Sequence, residues 1–276
     1  MIKKLLRKIA NTLIRITQDK VVTIATISYI EANNKLKGKK VLITGGSKGI
    51  GYSIAKKFVE EGAEVIITGR NTNDLKVASS QIGCRYIVVD VTDFENIEGT
   101  ITKAIEMLGG LNILVNNAGI SLHEGNIRNV EANQFDQQIA VNLKAAYFYS
   151  QKFIHAMENN HFEDSSILFI SSERGTYVDD LPYGLTKAAI NSLTQGLGKL
   201  LIKNGIRVNA IAPGITATSM TGFSNDNLTM EYASGRVYLP EEIAEVACFV
   251  SSDAAKCLSG QILTCDNGNS VNSYRK

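Results

Sequence analysis

Tryptophan is absent from this chain of 276 residues, and proline, histidine and cysteine number only three, three and four. The four cysteines are scattered, with no pair two residues apart, and the three histidines do not cluster. The sequence therefore lacks the ligand spacing of a structural zinc site and the density of a disulfide framework, so we expect reduced thiols and no metal. So few prolines also exclude a proline-rich chain.

Neither charge nor hydropathy singles out an unusual class of protein. Lys and Arg total 29 against 27 Asp and Glu, and the net charge of +2 gives no field that favours nucleic acid. Hydrophobic residues make up 44% and charged residues 20%, which are ordinary values for a globular chain rather than a disordered one. No apolar run reaches the length of about 20 residues that a membrane span needs.

The first 38 residues differ in character from the rest, and we expect them to form an N-terminal extension to a single domain at 39–276. Apolar residues recur at helical spacing within 1–20 among basic residues, which predicts a basic amphipathic helix. Its cations are Lys3, Lys4, Arg7, Lys8, Arg15 and Lys20. Such a helix packs on its own domain or a neighbouring subunit, docks on a membrane surface, or belongs to a cleaved signal. We expect a cytoplasmic protein, with peripheral contact at the inner face of the membrane as the alternative.

From residue 39 onward, short apolar runs alternate with amphipathic segments. The predicted strands are 40–44, 64–68, 85–89, 113–115, 166–170, 207–211 and 261–264. The predicted helices are 50–61, 73–80, 94–108, 135–157 and 183–202. This alternation is typical of an α/β fold of the Rossmann type, a doubly wound parallel sheet with helices on both faces.

A glycine-rich turn joins the first predicted strand to its helix. Its residues are Thr44, Gly45, Gly46, Ser47, Lys48, Gly49, Ile50 and Gly51. Gly45 permits a tight turn, Gly49 lets the backbone approach a pyrophosphate, and Gly51 allows close packing of the helix. The helix N-terminus offers free N–H groups to the phosphates. An ordinary glycine-rich loop is the alternative, but the strand–turn–helix context favours a dinucleotide site.

The end of the second predicted strand indicates which nicotinamide cofactor is used. NAD sites usually carry an acidic residue about 20 residues after the glycines, where it bonds the ribose 2′-OH. This chain has Arg70 and Asn71 there instead. The planar guanidinium of Arg70 suits a 2′-phosphate, and Lys48 supplies a second cation, so the sequence predicts NADP(H).

Further short motifs follow along the chain. They are Asp90-Val91, Asn116-Asn117-Ala118-Gly119, Asn142, Ser171-Ser172-x-x-Gly175, Tyr183-x-x-x-Lys187, and Pro213-Gly214 with Thr218 downstream. Together with the glycine turn, and in this order, they make residues 39–270 resemble a classical short-chain dehydrogenase/reductase. The resemblance is strongest to members similar to 3-oxoacyl-[acyl carrier protein] reductases.

The resemblance implies a role for each motif in cofactor binding. Asp90, next to Val91, contacts the adenine, and the segment Asn117-Ala118-Gly119 lines the adenosine ribose. The segment Pro213-Gly214-Ile215 lies beside the nicotinamide carboxamide, and Thr218 follows it in the same site. The family usually forms dimers or tetramers through its two long helices, here 135–157 and 183–202.

Tyr183 and Lys187 lie four residues apart on a predicted helix and therefore share a face. Reduction of a ketone generates an alkoxide that needs a proton, and a phenol can donate it. A tyrosine of ordinary pKa, roughly 10, cycles poorly at neutral pH, and a neighbouring ammonium group favours the tyrosinate. The resemblance implies that Lys187 also holds the nicotinamide ribose, that Ser172 stabilises charge on the substrate oxygen, and that Asn142 holds a water of the proton relay.

Two loops depart from the pattern of the acyl reductases. The loop 173–182 is short and highly charged, and the loop 218–236 is also polar. Solvent exposure would explain this polarity, and so would a hydrophilic substrate. We expect an NADP-dependent oxidoreductase acting on a small-molecule carbonyl or secondary alcohol, with 3-oxoacyl thioesters as the leading candidates. The alternatives are a sugar-modifying dehydrogenase of surface polysaccharide synthesis and a non-catalytic NADP-binding scaffold.

Overall fold

The computed structural model describes residues 34–160, 164–224, 228–230 and 234–271. The predicted amphipathic helix within 1–20 lies outside the described residues. Within them, no helix combines the length and the apolar character that a membrane crossing requires.

Seven parallel strands form one sheet in the order β3-β2-β1-β4-β5-β6-β7. They are β1 (Lys40–Ile43), β2 (Glu64–Gly69), β3 (Arg85–Val88), β4 (Ile113–Asn116), β5 (Ser165–Ile170), β6 (Ile206–Pro213) and β7 (Ile262–Cys265). The chain reverses its direction of winding between β1 and β4, and this reversal opens a crevice at the carboxyl edge of the sheet. The predicted doubly wound fold is confirmed.

Helices cover both faces of the sheet. They are α1 (Gly49–Glu60), α2 (Thr72–Ile82), α3 (Ile97–Leu108), α4 (Ala132–Gln138), α5 (Ala146–Asn160), α6 (Pro182–Leu201) and α7 (Pro240–Ser251). Successive side chains of a strand point to opposite faces, and β1 shows the result. Val41 and Ile43 pack in the core beneath α1, α2 and α7, whereas Leu42 packs in the core beneath α3, α5 and α6.

The helix predicted at 135–157 differs from the observed one. A π-helical segment, Ile139–Ala145, separates α4 from α5 and holds Asn142. Such bulges occur often at functional sites, and they do not alter the apolar periodicity from which the helix was predicted. Helix α7 was not predicted; it begins at Pro240, and Glu242 caps it by accepting a hydrogen bond from the Leu239 N–H at 2.8 Å.

Residues 34–39 attach to the domain on the side away from the crevice. They lead into the amino end of β1, whereas the crevice lies at the carboxyl ends of the strands. Leu36 is fully buried, and Lys35 forms an ion pair with Glu61 at 3.2 Å. The described chain therefore enters the domain at the edge of the sheet opposite the glycine turn.

Candidate active site

The glycine turn packs directly against the segment that follows β4. A Cβ on Gly51 would lie 2.3 Å from Asn117 Nδ2 and 2.4 Å from the Gly45 carbonyl oxygen, so no side chain fits at that position. Gly45 has a φ of +66°, and a Cβ there would lie 2.9 Å from the Ala118 Cα. Both glycines are therefore required by close backbone packing and, at Gly45, by the left-handed conformation.

Partly buried hydrogen bonds fix this contact. Asn117 Nδ2 donates to the carbonyl oxygens of Thr44 and Gly45 at 3.0 and 2.9 Å. The Thr44 hydroxyl accepts from the backbone N–H groups of Asn117 and Ala118, each at 3.1 Å. At the start of α1, Lys48 caps no N–H group with its side chain. The first N–H groups of the helix are thus available to an anion such as a pyrophosphate.

A cavity of about 580 Å³ extends from this turn along the carboxyl edge of the sheet. It is lined by nearly all the residues predicted to bind the cofactor. These are Gly45, Ser47, Lys48, Gly49, Ile50, Arg70, Asn71, Asp90, Val91, Asn117, Ala118, Gly119, Tyr183, Lys187, Pro213, Gly214, Ile215 and Thr218. Ser172 also lines the cavity, whereas Gly51 and Asn142 lie behind its wall. A long groove with a backbone anion site at one end fits a dinucleotide.

Arg70 lies at the tip of β2 beside Asp90. Its Nη1 is 3.6 Å from Asp90 Oδ2, and its side chain is 73% exposed. Burial would raise the pKa of Asp90, but hydrogen bonds from Thr92 and the charge of Arg70 hold that pKa below its usual value. Asn71 caps α2 through its side-chain oxygen, which accepts from the Asn73 N–H at 2.9 Å. Arg70 is therefore an exposed cation at the mouth of the cavity, in an ion pair with Asp90.

Tyr183 lies in the first turn of α6, and Lys187 follows it one turn later. Lys187 Nζ is 5.6 Å from the centroid of the Tyr183 ring and donates to the Ile170 carbonyl oxygen at 2.8 Å. Burial lowers the pKa of Lys187 to about 8, so the amine is still largely protonated at neutral pH. Burial raises the pKa of Tyr183, and a hydrogen bond from Ser172 acts in the opposite direction.

The two serines at the end of β5 have different partners. The Ser171 hydroxyl donates to Asn191 Oδ1 on α6 at 2.6 Å, which ties it to the scaffold. The Ser172 hydroxyl accepts from the Arg174 N–H at 3.3 Å, and Ser172 acts to lower the pKa of Tyr183. Ser172, whose hydroxyl is not tied to α6, is therefore the better candidate to contact the phenol.

Asn142 lies behind the cavity and joins three elements. Its side chain accepts from the Ile120 N–H at 2.8 Å and donates to the Ile120 carbonyl oxygen at 2.9 Å. It also donates to the Thr186 hydroxyl on α6 at 3.3 Å. A Cβ on Gly119 would lie 3.5 Å from Asn142 Oδ1 and 3.7 Å from Lys187 Nζ, so Gly119 separates the amide from the amine.

Sequence reasoning missed the ion pair that borders Tyr183. The Arg174 guanidinium lies 5.6 Å from the ring centroid and bonds Asp179 at 2.6 Å. Glu173, next to it, is only 5% exposed and accepts from Asn269 at 3.2 Å. Glu173, Arg174 and Asp179 are thus built into the site, whereas solvent exposure explains the charge of Asp180. The signal in the sequence was the charged composition of the short loop.

Comparisons with known proteins agree with this architecture. A family model described as enoyl-(acyl carrier protein) reductase matches residues 45–270. A 3-oxoacyl-[acyl-carrier-protein] reductase of Chlamydia trachomatis is 34% identical over 245 residues, which cover 84% of this chain and 98% of that protein.

Solved structures resemble the chain over a similar length. A short-chain dehydrogenase of Burkholderia cenocepacia in complex with NADP has a TM-score of 0.77 and 32% identity, covering 86% of this chain and 99% of its own. A 3-ketoacyl-(acyl-carrier-protein) reductase of Brucella melitensis complexed with NADH has a TM-score of 0.78 and 30% identity, covering 86% and 100%.

Proposed function

The chain belongs to the short-chain dehydrogenase/reductase family, and from this premise we propose that it is an NADP-dependent carbonyl reductase or alcohol dehydrogenase. The observation that carries the proposal is the meeting of Ser172, Tyr183 and Lys187 on one wall of a cavity whose other end is a glycine-rich anion site. A cofactor phosphate at the turn and a substrate carbonyl at the phenol would lie in the same groove. Residues 39–276 form the catalytic domain in this proposal.

Each polar side chain has a distinct task in the proposed reaction. A bound nicotinamide supplies or accepts the hydride. Tyr183 donates a proton to the substrate oxygen in reduction and removes it in oxidation. Ser172 donates a hydrogen bond to that oxygen and stabilises the charge that develops on it. Lys187 holds the nicotinamide ribose and favours the tyrosinate, while the Asn142 amide, bonded to Ile120 and Thr186, fixes the cavity wall rather than a relay water.

NADP is favoured over NAD by the charges at the tip of β2. An acidic residue there would repel a 2′-phosphate, and this chain has Arg70 in its place. The Arg70 guanidinium is exposed at the mouth of the cavity, and its ion pair with Asp90 is long, at 3.6 Å. Lys48 lines the same end of the cavity and adds a second cation.

A 3-oxoacyl thioester is the leading candidate substrate because the relatives include 3-oxoacyl-[acyl-carrier-protein] reductases. Glu173 and the ion pair of Arg174 with Asp179 favour a second candidate, since they place charge where an acyl chain would meet apolar side chains. The alternative substrate is therefore a hydrophilic carbonyl compound such as a sugar derivative.

We propose a homodimer or homotetramer assembled through α5 and α6. Apolar side chains on these helices remain exposed in the single chain; they include Tyr147, Leu185 and Leu200, at 47%, 45% and 67%. We also propose a cytoplasmic protein, with peripheral membrane contact through 1–20 as the alternative.

The test is NADPH oxidation with a short 3-oxoacyl thioester, followed by the loss of NADPH absorbance. We expect Tyr183→Phe to lower the rate by about 100- to 10,000-fold, because the proton donor is lost. Tyr86→Phe, which removes a hydroxyl on β3, is the matched control and should leave the rate unchanged. Undiminished turnover by Tyr183→Phe would refute the proposed chemistry.

A measurement of NADPH binding beside the turnover assay separates the two substrate classes. If the protein binds NADPH but does not reduce the thioester, a panel of hydrophilic ketones and keto-sugars is the next test. Turnover there that depends on Tyr183 would support the second candidate. Binding with no turnover of any carbonyl would support the scaffold interpretation.

A further inference from the structure

The short connection between β5 and α6 is closed by an ion pair with two hydrogen bonds. Arg174 Nε donates to Asp179 Oδ2 at 2.6 Å, and Arg174 Nη2 donates to Asp179 Oδ1 at 2.8 Å. The Asp179 side chain is only 6% exposed and the Arg174 side chain 31%. Two parallel bonds of this kind fix the plane of the guanidinium as well as its distance.

Asp179 is in turn fixed against the start of α6. Its Oδ1 accepts from the Leu181 N–H at 3.0 Å. Its carboxylate occupies the space beside Gly184, where a Cβ would lie 2.0 Å from Oδ2. Because Gly184 follows Tyr183 directly, the residue after the phenol has no side chain, and this leaves room for the acid that holds Arg174.

The ring of Tyr183 therefore lies near two cations. The Arg174 guanidinium carbon is 5.6 Å from its centroid, and Lys187 Nζ is also 5.6 Å away. Both distances are within the range of a cation–π interaction. The two cations reach the ring from different elements, Arg174 from the connection after β5 and Lys187 from α6 itself.

An acidic group acts against these two cations on the ionisation of Tyr183. Glu173 is 5% exposed in the same connection, and its charge disfavours the tyrosinate, whereas the charge of Arg174 favours it. Tyr177 and Asp179 also belong to this connection, and His123 lines the cavity from the loop after β4. Arg174 and Glu173, which are neighbours in the chain, thus act in opposite directions on the ionisation of Tyr183.

We propose that Arg174, held by Asp179, is a positioning residue for Tyr183: it restrains the ring and supplies a second positive charge beside the phenol. The inference rests on the proposed function, in which Tyr183 transfers the proton. It gives the ion pair of Arg174 with Asp179 a task in proton transfer that does not depend on which of the two candidate substrates the site accepts.

The direct test follows the ionisation of Tyr183 without any substrate. Protein labelled with ¹³Cζ-tyrosine and saturated with NADPH is titrated by NMR, and Tyr183→Phe identifies the resonance among the ten tyrosines. We expect Arg174→Gln to shift the Tyr183 titration upward by about half a unit or more, since one stabilising charge is removed. Arg174→Lys, which keeps the charge, should recover much of the difference.

Two further variants control for indirect effects. Arg128→Gln removes an arginine that does not line the cavity, and it should titrate as wild type does. Arg174→Gln combined with Asp179→Asn replaces both charges by neutral amides, so it provides the same comparison if Arg174→Gln alone does not fold. Identical Tyr183 titrations in wild type and in the charge-neutral variants, including an absence of ionisation in all of them, would overturn the proposal.

Kinetics separate this inference from the proposed function. With a substrate that is turned over, Arg174→Gln should lower kcat at neutral pH by about three- to tenfold, leave KM nearly unchanged, and shift the basic limb of the pH profile upward. A change in KM alone would overturn the positioning role and indicate substrate recognition. If no carbonyl is turned over but the NMR shift is present, the proposed function fails and the effect of Arg174 on Tyr183 stands.

Discussion

The two ends of the cavity differ in the groups that form their surface, which are backbone atoms at one end and charged side chains at the other. At the cofactor end, the shape is made by backbone: Gly45 and Gly51 have no space for a side chain, and Asn117 bonds main-chain carbonyl oxygens. At the substrate end, the shape is made by charged side chains, with Arg174 clamped by Asp179 above Tyr183. One end is shaped by backbone for the proposed cofactor, and the other places charges around the proposed proton donor.

This difference has a physical reason. A pyrophosphate is recognised by N–H groups whose positions follow from the turn and from packing, so a substitution there disturbs many atoms at once. A charge pair on a short loop can be exchanged for another pair with little effect on the sheet beneath it. Cofactor binding and acid/base tuning should therefore respond to mutation separately.

The largest effect should come from placing a side chain in the glycine turn. The methyl group of Gly51→Ala would overlap Asn117 Nδ2 and the Gly45 carbonyl oxygen, so the turn must open. We expect NADPH affinity to fall by about 100-fold or more and the free energy of unfolding to fall by about 1–3 kcal/mol. Fluorescence titration and urea unfolding measure the two effects. Unchanged affinity would mean that the close packing is not part of the binding surface.

The second prediction concerns the lysine between the two ends. Lys187 is 5% exposed, and burial lowers its pKa from 10.5 to about 8. Between these values the unfolded chain binds more protons than the folded one, so stability rises with pH, by up to about 3 kcal/mol for this group. At pH below 8 both states are protonated, and the contribution no longer changes.

Urea unfolding of the cofactor-free protein checks this sign. From pH 7.5 to 10.5, the wild type should gain stability relative to Lys187→Met by up to about 3 kcal/mol. Lys199→Met, on the exposed side of the same helix, is the control and should keep the wild-type pH dependence. A constant difference between wild type and Lys187→Met across this range would contradict the prediction.

The two ends of the cavity differ in how much of their structure could be predicted from the sequence. The strands and the glycine turn were predictable because their signals are local: apolar runs of four to eight residues for one, and glycine spacing for the other. The π-helical segment around Asn142 was not, since it leaves the apolar periodicity unchanged, and the bond of Asn142 to Ile120 joins residues 22 apart in the chain. The ion pair of Arg174 with Asp179 depends on the path of the connection between β5 and α6, and the composition of that connection does not reveal its path.

The choice of cofactor is the next smaller effect. Arg70→Gln removes the exposed cation at the tip of β2, and we expect the affinity for NADPH to fall about tenfold with little change for NADH. Arg70→Lys, which keeps the charge, should lose less. Isothermal titration with both cofactors measures the selectivity. Equal losses for NADPH and NADH would show that Arg70 shapes the site without binding the 2′-phosphate.

The smallest expected effect is a change in melting temperature that has opposite signs for alanine at Gly99 and at Gly184. Gly99 and Gly184 are each the third residue of a helix, α3 and α6, and alanine is a better helix former than glycine by about 1 kcal/mol. A Cβ on Gly99 would meet nothing within 4 Å, so Gly99→Ala should raise the melting temperature. A Cβ on Gly184 would lie 2.0 Å from Asp179 Oδ2 and displace the carboxylate that holds Arg174.

Gly184→Ala should therefore lower the melting temperature although the helix propensity is the same as at Gly99. The displaced carboxylate loses the Leu181 N–H and the guanidinium, and a buried group left without its partners costs about 1–3 kcal/mol, which exceeds the gain in propensity. Calorimetry on the two variants gives the signs directly. If both variants gain stability, the connection between β5 and α6 accommodates the added methyl group. The ion pair of Arg174 with Asp179 then restrains this end of the cavity less than its two hydrogen bonds imply.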